Sequence, residues 1–360
     1  MNLGNIRKTI QGNETELFLS GLNKKVRYVP LEKREDVLLA RINKIYLIND
    51  FIFVSDNQSV FQFDINGRFI KQFGGIGRGP GEFIAPIRFS VDPLREEVMI
   101  FSTITNRLNV YNMLTGDFKF YRDLPFFVSN FGAFSNGNRF FFTQEFLSII
   151  PSFSINEVYF SDTGINLVDS IGNPLRMNIM GNSVGYVSYF LLEDKVYYIY
   201  NYRDTLYQIS PEFERTPFAV FNLQNELSRD NLEIFPVEGQ TVFPDFLWIS
   251  RIVGNSDYLF VDFMKGFTGG DTYNPIKLVF DKNTQNSFVT QGFTNDIDGG
   301  LSFWPRWVSN GALINYFHPH EMIDYYNKTR GRKTHAEAFV KLVNRLNEYD
   351  NPVLMILEKK

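Results

Sequence analysis

One short pattern recurs six times along the chain: an apolar strand, a tight turn of Asn, Asp or Gly, and a second strand rich in aromatic and β-branched residues. It runs from Ile45 to Val54 around Asn49-Asp50, from Arg88 to Phe101 around Asp92, and from Gly132 to Phe142 around Asn136-Gly137. It returns from Tyr189 to Ile199 around Glu193-Asp194, from Arg251 to Val261 around Asn255, and from Arg306 to Ile314 around Asn310-Gly311. A third strand follows in the first five copies: Val60–Asp64, Leu108–Asn112, Val158–Asp162, Leu206–Ile209 and Lys277–Asp281. Asp64-Ile-Asn-Gly67 and Asp162-Thr-Gly164 then supply hairpin chemistry. Fourth strands are read at Arg68–Phe73, Phe118–Tyr121, Leu167–Ile171, Pro217–Phe221 and Ser287–Thr290. Four strands per unit, repeating at roughly 42 to 60 residues, predict the blades of a β-propeller.

The sixth unit departs from the pattern after its second strand. His318–Lys328 and His335–Tyr349 read as helical, the latter because Phe339, Leu342, Val343 and Leu346 recur at i, i+3, i+4 and i+7. Val353–Leu357 then gives a third strand, and the chain ends soon after. The missing fourth strand is Lys25–Leu31 at the other terminus. Pairing the two closes the ring and removes free sheet edges. The expectation is an all-β, six-bladed β-propeller whose N-terminal strand closes the last blade. Residues 1–24 form an extension, residues 25–360 the propeller, and about 318–349 a helical insertion in blade six.

Composition agrees with strands and excludes several functions. The 360 residues include 38 Phe and 18 Tyr, which suit half-buried pleated surfaces. A net charge of −4, without a long basic run, excludes nucleic acid as an expected partner. There are no cysteines, so disulfides and thiolate chemistry are out. No apolar run approaches the roughly 18 residues of a membrane span. Met1–Asn13 is polar, so no signal peptide is read in the chain.

Between the first two units lies Phe73-Gly74-Gly75-Ile76-Gly77-Arg78-Gly79-Pro80-Gly81-Glu82-Phe83. A phosphate loop would need Gly-Lys-Ser/Thr followed by a helix, whereas here Pro86 soon follows. Gly74, Gly75, Gly77, Arg78, Gly79, Pro80 and Gly81 are therefore read as a rigid structural connection between two blades, with several glycines at positive φ. Residues 59–112 resemble NHL-type repeats through Gly79-Pro-Gly-Glu-Phe83, Pro86, Val91-Asp92, Asn106-Arg-Leu108 and Val110-Tyr111. The whole chain from Val26 resembles the six-bladed, NHL/TolB-like propeller proteins of Bacteroides-type bacteria, a family of unassigned function. Val29-Pro-Leu-Glu32, Gly77–Phe83, Asp204-Thr-Leu-Tyr207 and Asn351-Pro-Val-Leu354 carry that likeness. The resemblance implies an exported, often lipid-anchored protein, hence a periplasmic or outer-membrane-associated one; it implies no activity.

Few residues carry recognisable chemistry. His318-Pro319-His320 with Glu321 and Asp324 could be drawn as a metal site, but Pro319 disfavours a helical pair and i, i+2 side chains diverge. A helix start fits better, and His335 falls beside a solvated turn at Lys328–Lys333. Glu96-Glu97, Glu193-Asp194 and Asp296 with Asp298 sit at expected turns, where solvent explains them. Alignment of the blades gives the sharper candidates. Arg88, Arg251 and Arg306 each precede Asp92, Asn255 or Asn310 by four residues, so they should share one height on inner strands. Arginine binds carboxylate or phosphate as a fork. Trp248, Trp304 and Trp307 lie in the same segments and could stack on a sugar or peptide; otherwise they fill core while the arginines pair between blades.

The expectation is a monomeric, non-catalytic scaffold that binds a small anionic ligand, a glycan or a protein partner, with no cofactor and no metal. A glycan lyase or hydrolase using carboxylates at the channel mouth, and a structural partner in an envelope assembly, are the alternatives.

Overall fold

Short runs such as Ile45-Tyr-Leu-Ile48 and Phe140-Phe-Phe142 are too brief and too rich in β-branched and aromatic residues for helix, and they form strands. The computed structural model describes residues 1, 3–4, 6–143, 156–172, 187–200, 203–223, 241–268 and 274–359. Six four-stranded sheets follow one another, making an all-β, six-bladed β-propeller with a few short helices. Blade one holds Lys44–Ile48, Phe51–Ser55, Val60–Asp64 and Phe69–Phe73. In blades one to five the strands lie side by side in chain order.

Blade six is assembled from both termini. Its order is Trp307–Ser309, Ala312–Phe317, Val353–Lys359 and then Lys24–Pro30. The closing pair is antiparallel through seven residues, from Lys24 opposite Lys359 to Pro30 opposite Val353. The helical insertion is Pro319–Thr329 and Glu337–Val343. The second helix ends sooner than the periodicity predicts. Asn347 Oδ1 accepts the Tyr349 N–H and Asp350 Oδ2 accepts the Asn347 N–H, so short polar side chains take over the backbone there.

The chain divides into two compact units. Met1–Asn13 with Gly74–Val289 carries blades two to five, and Glu14–Phe73 with Thr290–Lys360 carries blades one and six. Within the first unit, Phe101, Phe131 and Phe141 form part of one buried cluster, and Phe140, Phe142, Tyr198 and Tyr200 part of another. In the second, Val29, Ile52, Phe63, Ile314 and Ile356 share a core. Serines tie neighbouring first strands together inside each unit. Ser309 Oγ donates to the Leu47 carbonyl and accepts the Leu47 N–H; Ser188 does the same with Ile252.

Candidate functional site

The second unit brings two of the sequence candidates together. Arg306 N–H donates to the Ile314 carbonyl, which starts the first hairpin of blade six. Alternate residues of the second strand share a face, so Ile314, Tyr316 and His318 follow one another on one side. The Arg306 guanidinium lies over the Tyr316 ring, 4.9 Å from its centroid. Trp307 stacks on the same tyrosine at 6.0 Å and 21°. His318 meets Tyr316 edge-on at 5.4 Å, and His320 stacks on His318 at 5.5 Å and 14°. The result is a continuous row of Trp307, Tyr316, His318 and His320, with Arg306 laid across it.

Backbone chemistry fixes the end of this row. His318 is the residue before the first insertion helix, Pro319 opens that helix, and Glu321 accepts the His318 N–H at 2.7 Å. Arg306 and His320 are exposed, Trp307 and His318 half-buried, and Tyr316 buried. Burial lowers the His318 pKa below its ordinary value; His320 and Arg306 push the same way, and Glu321 opposes them. Among the described residues the Arg306 side chain has neither a hydrogen-bond nor an ion-pair partner. A guanidinium fork, two imidazoles and a wall of aromatic faces can hold an anion carrying a flat apolar side.

The other candidates are placed differently. Trp304 is buried and stacks on Phe293 at 6.3 Å, so it belongs to the interior. Trp248 donates its indole N–H to the Gly266 carbonyl at 2.9 Å. Arg251 stands directly opposite Asp262 and pairs with it at 2.5 Å. Arg88 donates to the carbonyls of Ser129 and Ile87, binding the first strands of blades two and three.

In the connecting loop, Gly74 and Gly81 have φ of +60° and +74°, and Ala85-Pro86 is cis. Tyr111 donates its hydroxyl to the Gly81 carbonyl at 2.9 Å, and Asn109 donates to that of Glu82 at 3.0 Å.

Sequence reasoning missed the buried carboxylates. Glu97, read as a solvated turn residue, is 3% exposed. It accepts from Arg139 at 2.6 Å and from Lys119 at 2.5 Å. The turn ends one residue earlier, where Glu96 has φ +53°, so Glu97 opens the second strand of blade two. Arg139 opens the second strand of blade three, so blade alignment could have matched the two charges. Glu157 is likewise buried and is enclosed by Arg203 at 2.6 Å, by Arg215, and by the Tyr198 hydroxyl at 2.5 Å. Burial, with Glu157 beside it, raises the Tyr198 pKa well above the usual range. These groups are occupied by one another and pin neighbouring blades.

A family model described as a domain of unknown function (DUF4934) matches residues 5–358. No curated protein matches the sequence. Among solved structures, the chain is similar to an exported-protein candidate from Bacteroides fragilis, with a TM-score of 0.71 and 17% identity. That match covers 97% of this chain and 98% of the other, and it shows a shared fold. A member of the DUF4221 family from Bacteroides vulgatus has a TM-score of 0.49 at 13% identity, over 77% and 86% of the two chains. Virginiamycin B lyase from Staphylococcus aureus, in a catalytically inactive form with quinupristin, has 0.47 at 10%, over 96% and 98%.

Proposed function

The chain belongs to the DUF4934 family, a domain of unknown function, and from that premise we propose that it is a non-catalytic binding scaffold for acidic sugars. The binding place is the row of Arg306, Trp307, Tyr316, His318 and His320. One observation carries the reading: an exposed guanidinium rests on an aromatic wall with no carboxylate of the described chain to neutralise it. Sugars present a flat C–H face to aromatic rings, and a uronic acid adds a carboxylate that arginine binds through two parallel hydrogen bonds. Arg88 and Arg251 already hold partners, so the reading rests on Arg306 and Trp307. Likeness to an exported-protein candidate supports a place in the bacterial envelope. No helix of the described residues is long and apolar enough to cross a membrane.

Galacturonate and galactose, titrated in parallel during thermal unfolding, test the proposal. A ligand at a hundred times its Kd stabilises by about 2.7 kcal/mol. Galacturonate is expected to raise the Tm, galactose to raise it less, and Arg306→Gln or Trp307→Ala to abolish the difference. Equal shifts for the two sugars, or unchanged shifts in both variants, would overturn it.

A further inference from the structure

The row of Arg306, Trp307, Tyr316, His318 and His320 does not stop at the strand. His320 already stands in the first turn of the helix Pro319–Thr329. On that helix His320, Asp324, Asn327 and Lys328 are exposed at i, i+4, i+7 and i+8, so they share one solvent face that prolongs the row. Glu321 instead turns its carboxylate back to the His318 N–H. Lys328 lies about 12 Å beyond His320 along the axis, at 1.5 Å per residue. Past the helix end the chain turns tightly: the Tyr326 carbonyl accepts the Arg330 N–H at 2.8 Å, and that of Thr329 accepts the Arg332 and Lys333 N–H groups at 3.0 Å. Lys333 is occupied, its ammonium donating to the Tyr325 hydroxyl at 2.9 Å. Lys328, Arg330 and Arg332 stay exposed. Among the described residues none of the three has an ion-pair or side-chain hydrogen-bond partner, not even Lys328 with Asp324 one turn earlier. Helix-end electrostatics accounts for Lys328 alone, since Arg330 and Arg332 lie beyond the last turn.

We propose that the acidic-sugar site continues along this helix and takes a polysaccharide in which uronic acids alternate with neutral sugars. The inference rests on the reading of the Arg306 row above, and it names the ligand. Along this line the charges run positive at Arg306, negative at Asp324, and positive again at Lys328, Arg330 and Arg332. A carboxylate over Arg306 and another at the basic turn are each matched, whereas one over Asp324 is repelled. A neutral sugar belongs there instead, its hydroxyls donating to Asp324 and bonding with the Asn327 amide. Joining the two acidic sugars in one chain makes the second contact intramolecular, so affinity rises with no change at the row itself.

Calorimetric titration of the full chain compares glucuronate, a tetrasaccharide of alternating glucuronate and N-acetylglucosamine, and tetragalacturonate. The alternating tetrasaccharide is expected to bind at least tenfold more tightly than glucuronate, and more tightly than tetragalacturonate although it carries fewer charges. Lys328→Gln with Arg330→Gln should return it to the affinity of glucuronate. Asp324→Asn should remove the preference over tetragalacturonate. Should none of the three sugars bind, the row and its extension fall together. Three results overturn the extension alone: glucuronate binds but the alternating tetrasaccharide gains nothing over it, the gain persists in the Lys328 and Arg330 double variant, or the parent prefers tetragalacturonate.

Discussion

Gly81 and Gly75 stand in the same loop under opposite constraints. Gly81 has φ +74°, and a Cβ there would lie 2.9 Å from the Phe118 Cβ. A Cβ on Gly75 would meet nothing within 4 Å. Gly81→Val should therefore cost about 1–3 kcal/mol, the range for strained backbone, while Gly75→Ala stays within about 0.5 kcal/mol. Urea midpoints at unchanged m would show the contrast, and equal midpoints would refute it. A second residue-scale prediction concerns His318, whose pKa is lowered in the folded state. The folded protein resists a proton that the unfolded chain accepts at about 6.5, so stability falls as pH drops through that value. A bound carboxylate would favour the charged ring. The stabilisation by galacturonate should thus grow from about pH 7.5 to about pH 5.5 and lose that growth in His318→Ala. Loop and row were not equally legible. Arg306 and Trp307 emerge from blade alignment, and Gly74–Gly81 from composition alone. Tyr316 and His318 required knowing which face of the second strand the hairpin turns toward Arg306.

At the scale of elements, blades two and three are joined by charges that neither supplies alone. Arg139, fully buried, bridges to Glu97 at 2.6 Å and lies 4.0 Å from Asp92, whose pKa is raised by burial above all. Removing one partner of such a pair leaves an uncompensated charge, at about 3–5 kcal/mol. Arg139→Met leaves Glu97, among the described residues, with only the half-exposed Lys119, at 2.5 Å, so the cost is expected near the low end, about 3 kcal/mol. Adding Glu97→Gln should recover part of it, since the under-compensated buried carboxylate goes with it. Additive losses in the double variant would show that the two side chains act independently. The strands themselves were readable because period-two alternation and turn residues are local signals. The pairing of Glu97 with Arg139 was not, because a turn boundary one residue away decides between solvent and interior. The second insertion helix was overextended for a similar reason: its apolar spacing continues to Leu346, but Asn347 and Asp350 capture the backbone first.

For the whole molecule, six blades could be counted from the sequence because each repeats one strand–turn–strand signal, and closure followed from a strand without a local partner. The structure gives that closing strand a further task. Val29 and Leu31 are both 2% exposed in a core shared with Ile52 and Phe63 of blade one. The Glu32 N–H donates to the Gly67 carbonyl, and Glu32 Oε2 accepts the Phe69 N–H at 2.8 Å. Deleting residues 1–31 would strip the partner from Val353–Lys359, leaving a long, apolar, unpaired edge of the kind that templates aggregation. It would also open the core beneath the last hairpin of blade one. Light scattering is expected to detect association of the truncated chain, and calorimetry to lose agreement between its calorimetric and van't Hoff enthalpies. Val29→Asp provides the milder arm: it keeps the strand but buries a carboxylate in that core, and it should lower the Tm without forcing association. A truncated chain that stays monomeric and melts at the parent temperature would mean that the N-terminal strand adorns blade six and does not complete it.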